Sequence, residues 1–223
     1  MTGARERVMG AVRAALGAPP RRSPGEIAAD AHRLLREPER VRPVLPDAEP
    51  SVLFEVAVAK LPPGASVARV AGWHSLPDHV AARLAGLGIE PALKLAPEPV
   101  LEDLDWSGSG IRLVADANER AALSIAECAV AETASLVLRS GPRMAVLDAF
   151  LPLHHLVAVR VRDVVPHLED AVARSDLSRS RNLVVVTGPS GTTDIEGSLV
   201  IGVHGPATLH ILLIEDGEPT AGP

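Results

Sequence analysis

Apolar residues recur with two different periods along the chain. Near the amino terminus they follow helical spacing, with Val8 and Val12 on one side of a first helix, and a second helical pattern covers residues 26–36. A proline-rich stretch then runs up to Pro50, which predicts a stiff linker. We therefore expect residues 1–49 to form an N-terminal helical arm and a Pro-rich linker.

Beyond the linker, helical and β-branched segments alternate. Helical patterns cover 51–60, 77–87 and 163–173, and short β-branched runs cover 66–71, 111–115, 155–161, 182–187 and 208–214. This alternation predicts an α/β domain over residues 50–215, with a mostly parallel sheet flanked by helices. Because the run 182–187 is apolar at nearly every position, we expect a central parallel strand there. The tail 216–223 is predicted to be flexible.

Composition removes several classes of function. The chain has 223 residues, a formal net charge of −6 and one cysteine, Cys128, so it cannot hold an iron–sulfur cluster or a cysteine-based zinc finger by itself. Its acidic balance and its four Trp and Phe residues argue against nucleic-acid binding. No apolar run approaches the roughly 18 residues of a membrane span, and no secretory signal precedes the first helix. We predict a cytoplasmic protein.

The most informative segment is VVVTGPSGTTDIEG, residues 184–197. An apolar strand leads into a loop around Ser190, and Thr192 is predicted to begin a short helix at the carboxyl end of the sheet. Free N–H and hydroxyl groups in such a loop can hold a small anion, although Asp194 and Glu196 disfavour a bare phosphate. The alternative is a structural turn whose hydroxyls only cap the helix.

A second candidate segment, residues 126–141, predicts two strands that Glu132 and Thr133 interrupt. A carboxylate in apolar surroundings is costly unless it is paired, exposed or used in chemistry. Glu132 is therefore either a functional group or a structurally paired carboxylate. Cys128 has apolar neighbours and no adjacent histidine, so we expect a packed core thiol.

The histidines are the third group of candidate functional residues. His154 and His155 are adjacent on a predicted strand, so their rings should point to opposite faces of the sheet. His204 lies in a Gly-Val-His-Gly-Pro turn and His210 lies in a strand pattern. Because no metal-ligand spacing connects these residues with the acidic positions, no metal site is predicted. His32, His74, His79 and His167 are predicted to be solvated.

Three segments in order, AETASLVLRSG, LPLHHLVAV and TGPSGTTDIEGSLVIGVHGPATLHILLI, resemble the lactate utilization protein C family, or LUD domain, from Ile125 to Glu215. The resemblance implies the fold shared by sugar-phosphate isomerases and coenzyme A transferases. It also implies a role in oxidising L-lactate to pyruvate beside partner proteins that carry iron–sulfur clusters. This chain would hold no cofactor of its own.

The resemblance carries over to specific positions. Those that match the family's motifs are Glu132, Thr133, His155, Gly188, Pro189, Ser190, Thr192, Asp194, Ile195, Glu196, His204, Gly205 and Pro206. Three positions depart from the pattern: Gly191 replaces a common arginine, Ser135 a threonine and Leu153 a proline. Without that arginine, a guanidinium in this loop cannot be invoked to bind an anion.

Three functions remain open at this point. In the first, which we predict, the chain is an accessory or ligand-binding subunit of lactate oxidation. Its cleft is then built by Glu132, Thr133, His155, Ser190, Thr192, Asp194, Glu196 and His204. In the second, it is a transferase or isomerase in which Glu132 is the nucleophile or base, His155 or His204 moves protons, and the 188–194 loop holds an anionic group. The predicted ligand-binding residues are Thr133, Gly188, Ser190, Thr192, Asp194 and Glu196. In the third, it is a scaffold. The sequence leaves a monomer and a homodimer open.

Overall fold

A computed structural model describes residues 3–16, 22–36, 42–115, 120–142, 144–176, 182–193 and 196–215. Two compact units are present, Met1–Val44 and Leu45–Pro223. The first contains α1 (Ala4–Leu16) and α2 (Pro24–Arg36), where the periodicity predicts them. Ser23 and Glu26 exchange hydrogen bonds at the start of α2, as in a capping box. None of the residues of α1 is buried.

The second unit contains the α/β domain. Its helices are α3 (Pro50–Val58), α4 (Leu76–Gly86), α5 (Pro99–Glu102) and α6 (Leu168–Arg174). Its strands are β1 (Ala65–Val70), β2 (Ala92–Leu95), β3 (Arg112–Val114), β4 (Ala121–Ile125), β5 (Cys128–Val130), β6 (Ser135–Arg139), β7 (His154–Arg160), β8 (Val164–Val165), β9 (Leu183–Thr187), β10 (Gly191–Thr193), β11 (Leu199–Ile201) and β12 (Thr208–Ile214). None of the described helices is long and apolar enough to cross a membrane.

Six parallel strands form the main sheet, in the order β1-β12-β7-β4-β2-β3. β7 and β12 lie at its centre and are buried along almost their whole length. On one face, α4 contributes Leu76 and Leu84 to the core; on the other, α3 contributes Phe54 beside Leu136 of β6. The prediction of a mostly parallel sheet flanked by helices is confirmed.

A second, four-stranded sheet covers part of the α3 face, in the order β8-β5-β6-β9. The strand predicted over 182–187 exists, but its placement as a central parallel strand is wrong. β9 is an edge strand that pairs antiparallel with β6. Val184 and Val186 pack against the core, whereas Val185 is 47% exposed. Valine suits both environments, so an unbroken apolar run does not distinguish them.

The predicted helix over 163–173 is shorter than its apolar pattern. A single 3₁₀ turn over Val161–Asp163 leads into β8, and α6 begins only at Leu168. The predicted helix start at Thr192 is wrong. Thr192 lies in β10, which pairs antiparallel with β11, because β-branched threonine favours an extended backbone. Without a helix, the loop has no helix N-terminus for an anion.

Gly64, which precedes β1, offers a stability test. Its φ is +103°, and a Cβ atom there would lie 2.4 Å from the Ala207 carbonyl oxygen. We expect Gly64→Ala to lower the free energy of unfolding by about 2–3 kcal/mol, from backbone strain plus a clash with main-chain atoms. Gly110→Ala is the control, since Gly110 also has positive φ (+74°) but open space around it. Urea denaturation showing equal losses in both variants would contradict the role of the close contact.

Candidate functional site

A cavity of about 280 Å³ lies where the amino ends of β7 and β12 meet the carboxyl end of β9. Its polar lining consists of His155, Thr187, Ser190 and His204, and apolar walls come from Phe150, Val185, Val186, Pro189, Pro206 and Leu209. The loop was predicted at the carboxyl end of the main sheet, and this is wrong. Because β9 belongs to the second sheet and runs antiparallel to β6, its carboxyl end delivers the loop to the amino end of the main sheet.

Backbone hydrogen bonds hold the loops of this cavity together. The Ser190 N–H donates to the Pro206 carbonyl at 2.8 Å, and the Gly202 N–H donates to the Ser190 carbonyl at 2.9 Å. The Ala207 N–H donates to the Leu153 carbonyl at 2.8 Å, which fixes the entry into β7. Segments far apart in sequence therefore share one rigid frame around the cavity.

His155 forms the floor of the cavity and is only 1% exposed. Its Nε2 lies 2.5 Å from the Ser124 hydroxyl oxygen of β4, whereas its Nδ1 has no hydrogen-bond partner among the described residues. Burial lowers the pKa of His155 to about 4, so the ring is neutral at pH 7. A base this weak is a better hydrogen-bonding group than a proton acceptor near neutrality.

His154, the preceding residue, faces the other side of the sheet as predicted. Its Nδ1 lies 2.9 Å from the Thr208 hydroxyl of β12. Burial, with Arg83 and Arg120 nearby, lowers the pKa of His154. Only one of the two adjacent rings therefore reaches the cavity.

Glu132 lies outside the cavity lining, in the turn between β5 and β6. Its side chain is 9% exposed, and one carboxylate oxygen lies 2.7 Å from His167 Nδ1. The other accepts a hydrogen bond from the Leu168 N–H at 2.8 Å, at the start of α6. The carboxylate therefore satisfies the amino end of a helix, which is the structural alternative for this residue.

Sequence reasoning missed His167, which was predicted to be solvated. Its side chain is 16% exposed and pairs with Glu132, 35 residues away in sequence. The Asp170 carboxylate also accepts a hydrogen bond from the His167 N–H at 3.1 Å. The spacing of His167 and Asp170 around a helix start is a local capping signal, but nothing local identifies Glu132 as the third member.

Thr133 connects to the cavity through a chain of hydroxyl groups. Its Oγ1 lies 2.7 Å from Ser135 Oγ, which in turn lies 2.6 Å from Thr187 Oγ1, in the cavity lining. Ala134, between the first two, has φ of 55°, the only positive value among the described non-glycine residues. A strained turn thus aligns the chain of hydroxyls.

Two further predicted site residues, Thr192 and Glu196, are not part of the cavity lining. Thr192 is half-buried in β10, and Glu196 is exposed. Asp194 and Ile195 lie outside the described residues, whereas Gly188 contacts the cavity directly. Within the described parts of the chain, no group of three or more His, Cys, Asp or Glu side chains is arranged to hold a metal ion.

A second cavity, of about 450 Å³, lies at the carboxyl end of β4. Glu127 and Arg139 line it, but these two side chains form a bidentate pair at 2.7 and 2.8 Å. Cys128, next to Glu127, is buried as predicted, and burial raises the pKa of its thiol to about 11. Neither the paired guanidinium nor the thiol is poised to react.

The structural role of Glu132 predicts a moderate effect on stability. Glu132→Ala should lower the free energy of unfolding by about 1–2 kcal/mol, because the Leu168 N–H and His167 lose their acceptor. Glu132→Gln, which keeps an amide oxygen, should lose less. Glu102→Ala, on an exposed position of α5, is the control for urea denaturation. A stable Glu132→Ala variant would show that the cap contributes nothing.

These features define the class of protein, an α/β domain with an accessory sheet. Helices cover the main parallel sheet, the second sheet packs on one of its faces, and the cavity lies between the two sheets. The sequence model of the LUD domain matches residues 76–214. The chain therefore belongs to the LUD domain family.

Curated relatives named lactate utilization protein C support this assignment. The one from Geobacillus thermodenitrificans (strain NG80-2) is 34% identical over 119 residues, covering 50% of each chain. The one from Bacillus pumilus (strain SAFR-032) is 33% identical over 106 residues, covering 44% of each, and the one from Bacillus subtilis (strain 168) is 30% identical over 125 residues, covering 53% of this chain and 51% of the relative. The chain thus spans about half the length of the curated relatives it matches.

A solved structure has the same fold. The crystal structure of a DUF162 family protein from Deinococcus radiodurans superimposes with a TM-score of 0.56 at 22% identity. The match covers 76% of this chain and 99% of that one. At this level of identity, the likeness concerns the fold alone.

Proposed function

We propose that this chain is a component of L-lactate utilization, acting as an accessory or ligand-binding subunit and not as an independent catalyst. Membership of the LUD family and the names of the relatives support the lactate role. One observation carries the binding role: a cavity of about 280 Å³ with a neutral, buried histidine whose Nδ1 has no partner among the described residues.

The alternative, a coenzyme A transferase or sugar-phosphate isomerase that uses Glu132, has less support. A nucleophilic carboxylate must reach the bound substrate, but both oxygens of Glu132 are engaged by His167 and the Leu168 N–H. The described lining of the cavity also contains no Lys or Arg side chain for a phosphate group. These contacts favour a cavity that holds a ligand without attacking it.

Lactate oxidation releases electrons that an acceptor must take. With Cys128 as its single cysteine, the chain cannot supply the thiolates of an iron–sulfur cluster. In this proposal, the clusters belong to partner proteins, and this cytoplasmic subunit assembles with them.

Genetic complementation tests the proposal. A bacterium that lacks its own copy of this chain should fail to grow on L-lactate and should recover when the wild-type chain is supplied. The isolated chain should not oxidise lactate, and tagged protein should copurify with iron-containing partners. Normal growth of the deletion strain would refute the lactate role. A covalent acyl adduct on Glu132 after incubation with an acyl-coenzyme A, detected by mass spectrometry, would establish the transferase alternative.

A further inference from the structure

Two histidines lie on neighbouring strands, on the face of the main sheet that α4 covers. His154 begins β7, and His210 lies in β12, which pairs with β7 so that Thr208 is opposite His154. Both histidines are 9% exposed. His154 Nδ1 lies 2.9 Å from the Thr208 hydroxyl, and His210 Nδ1 lies 2.8 Å from the Ser66 hydroxyl of β1. Each ring is therefore held in place through one nitrogen only.

The other ring nitrogen, Nε2, is available in both histidines. Neither His154 nor His210 has a second hydrogen-bond partner among the described residues. In contrast to Nδ1 of His155, neither Nε2 atom is fully enclosed by protein. A group that binds at this end of the sheet can therefore reach both nitrogens.

Arg83 brings an unpaired positive charge to the same end of the sheet. Because α4 lies between the parallel strands β1 and β2 in the chain, its last turn returns to the amino end of the sheet, where both histidines lie. Leu84, the next residue, packs with Leu156 and Leu212 in the core of this face. The Arg83 Nε is buried without a hydrogen-bond partner, and no carboxylate in the described part of the chain pairs with the guanidinium. A partly buried cation in this state is costly unless a ligand neutralises it.

The electrostatic surroundings of the two rings are positive as well. Burial lowers the pKa of His154 and that of His210, and Arg83 lowers both further. Arg120 adds to the effect at His154, and His79 adds to it at His210, whereas no described carboxylate opposes it. The whole chain has a formal net charge of −6, so this cluster of cationic and imidazole groups differs from the rest of the molecule. Its charge favours an anion as the ligand.

The hydrogen-bonding groups of the cluster favour one kind of anion. A carboxylate has two oxygens that only accept, so it cannot pair with an imidazole whose Nε2 carries no proton. Hydrogen phosphate has three acceptor oxygens and also an O–H that can donate. It can therefore pair with either neutral form of a histidine while its other oxygens accept from the Arg83 guanidinium, which suits phosphate geometry.

We propose that Arg83, His154 and His210 form a binding site for a phosphate group, on the face of the main sheet opposite the cavity of about 280 Å³. Arg83 supplies the countercharge, the two Nε2 atoms bind phosphate oxygens, and Ser66 and Thr208 hold the rings. The site does not depend on the proposed lactate role, because none of its three residues lines that cavity.

Calorimetric titration of the full chain with inorganic phosphate at pH 7 tests the proposal. We expect saturable binding to one site with a Kd of about 1 mM or tighter. Acetate at the same ionic strength should bind at least about 10-fold more weakly, because it offers fewer acceptors and no donor. Glycerol 3-phosphate distinguishes two sources of the phosphate group. Binding as tight as that of inorganic phosphate identifies a site for a phosphorylated metabolite, and binding of inorganic phosphate alone identifies a site for the free ion.

Variants of Arg83 test whether its charge holds the ligand. Arg83→Gln should weaken phosphate binding by about 10-fold or more, because it removes charge-assisted hydrogen bonds. Arg83→Lys keeps the charge but not the planar fork, so the loss should be smaller, about 3-fold. Arg112→Gln is the control, since it removes the same charge from an exposed position on the edge strand β3 and should leave the affinity unchanged.

NMR of the histidine rings in the wild-type protein locates the ligand even if Arg83→Gln does not fold. Phosphate should change the ring resonances of His154 and His210 and leave those of His155, on the opposite face, unchanged. The proposal is overturned if phosphate shows no saturable binding up to about 10 mM. Equal phosphate affinity in Arg83→Gln and Arg112→Gln, or a response of His155 without one of His154 and His210, would overturn it too.

Discussion

Replacing Asp148 by alanine is expected to lower the free energy of unfolding by about 3–5 kcal/mol. Asp148 lies in the 3₁₀ turn Val146–Ala149, and its carboxylate oxygen is 2.6 Å from Lys94 Nζ of β2. The side chain of Asp148 is 6% exposed and that of Lys94 is 18% exposed. Asp148→Ala therefore leaves the lysine charge without a partner in a poorly hydrated environment. Chemical denaturation at pH 7 measures the loss.

Two controls show whether the unpaired lysine charge causes the loss of stability. The double variant Lys94→Met/Asp148→Leu removes both charges and should recover most of the lost stability, because apolar side chains often replace a buried ion pair at little cost. Glu90→Ala breaks an exposed pair with Arg112, whose side chains are 71% and 59% exposed. This change should cost less than about 1 kcal/mol. If Asp148→Ala matched Glu90→Ala, the explanation by burial would be wrong.

Acidification should also destabilise the fold strongly. Burial lowers the pKa of His155 and of His210 to about 4, and Arg83 and His79 add to the effect at His210. The unfolded chain has histidine pKa values near 6.5, so it binds more protons than the folded chain between about pH 6.5 and 4. The free energy of unfolding should therefore fall as the pH falls through this window, by about 3 kcal/mol for each histidine.

The contribution of one histidine can be isolated by difference. His210 Nδ1 lies 2.8 Å from the Ser66 hydroxyl, and His210→Asn keeps a hydrogen-bonding side chain there without a titratable ring. Urea denaturation from pH 7 to 4.5 should show a smaller loss in this variant than in the wild-type protein. Carboxylates titrate in both proteins, so the difference reports the imidazole. Equal pH dependence in both would mean that His210 is protonated in the folded state.

The central strands could be predicted because their sequences are apolar along almost their whole length, as expected of strands buried on both faces. β7 and β12 lie inside the main sheet, and their patterns predicted both strands within one residue at either end. β9 has an equally apolar sequence but lies at an edge, paired only with β6, a strand that is distant in sequence and that the residues of β9 do not identify. Local pattern thus determined the kind of element, and long-range pairing determined its place.

The candidate site, too, could be predicted from local sequence patterns only in part. Sequence motifs identified His155, Ser190 and His204, and the structure gathers them around one cavity. The partners that set their chemistry were not predictable from local patterns. Ser124 and His155 are 31 residues apart, and Glu132 and His167 are 35 apart. Only the register of the sheet and the position of α6 bring these pairs together.

The two adjacent histidines of β7 also bear on the register of the strand in the main sheet. Leu156 and Val157 face opposite sides, and both sides are apolar, so hydrophobicity alone would tolerate a shift of β7 by one residue. Such a shift would leave at most one of the two rings beside a hydroxyl, because the other would be carried past both Ser124 and Thr208. A buried imidazole without a partner is costly, so the two hydroxyl pairs favour the observed register of the central strand over its neighbours.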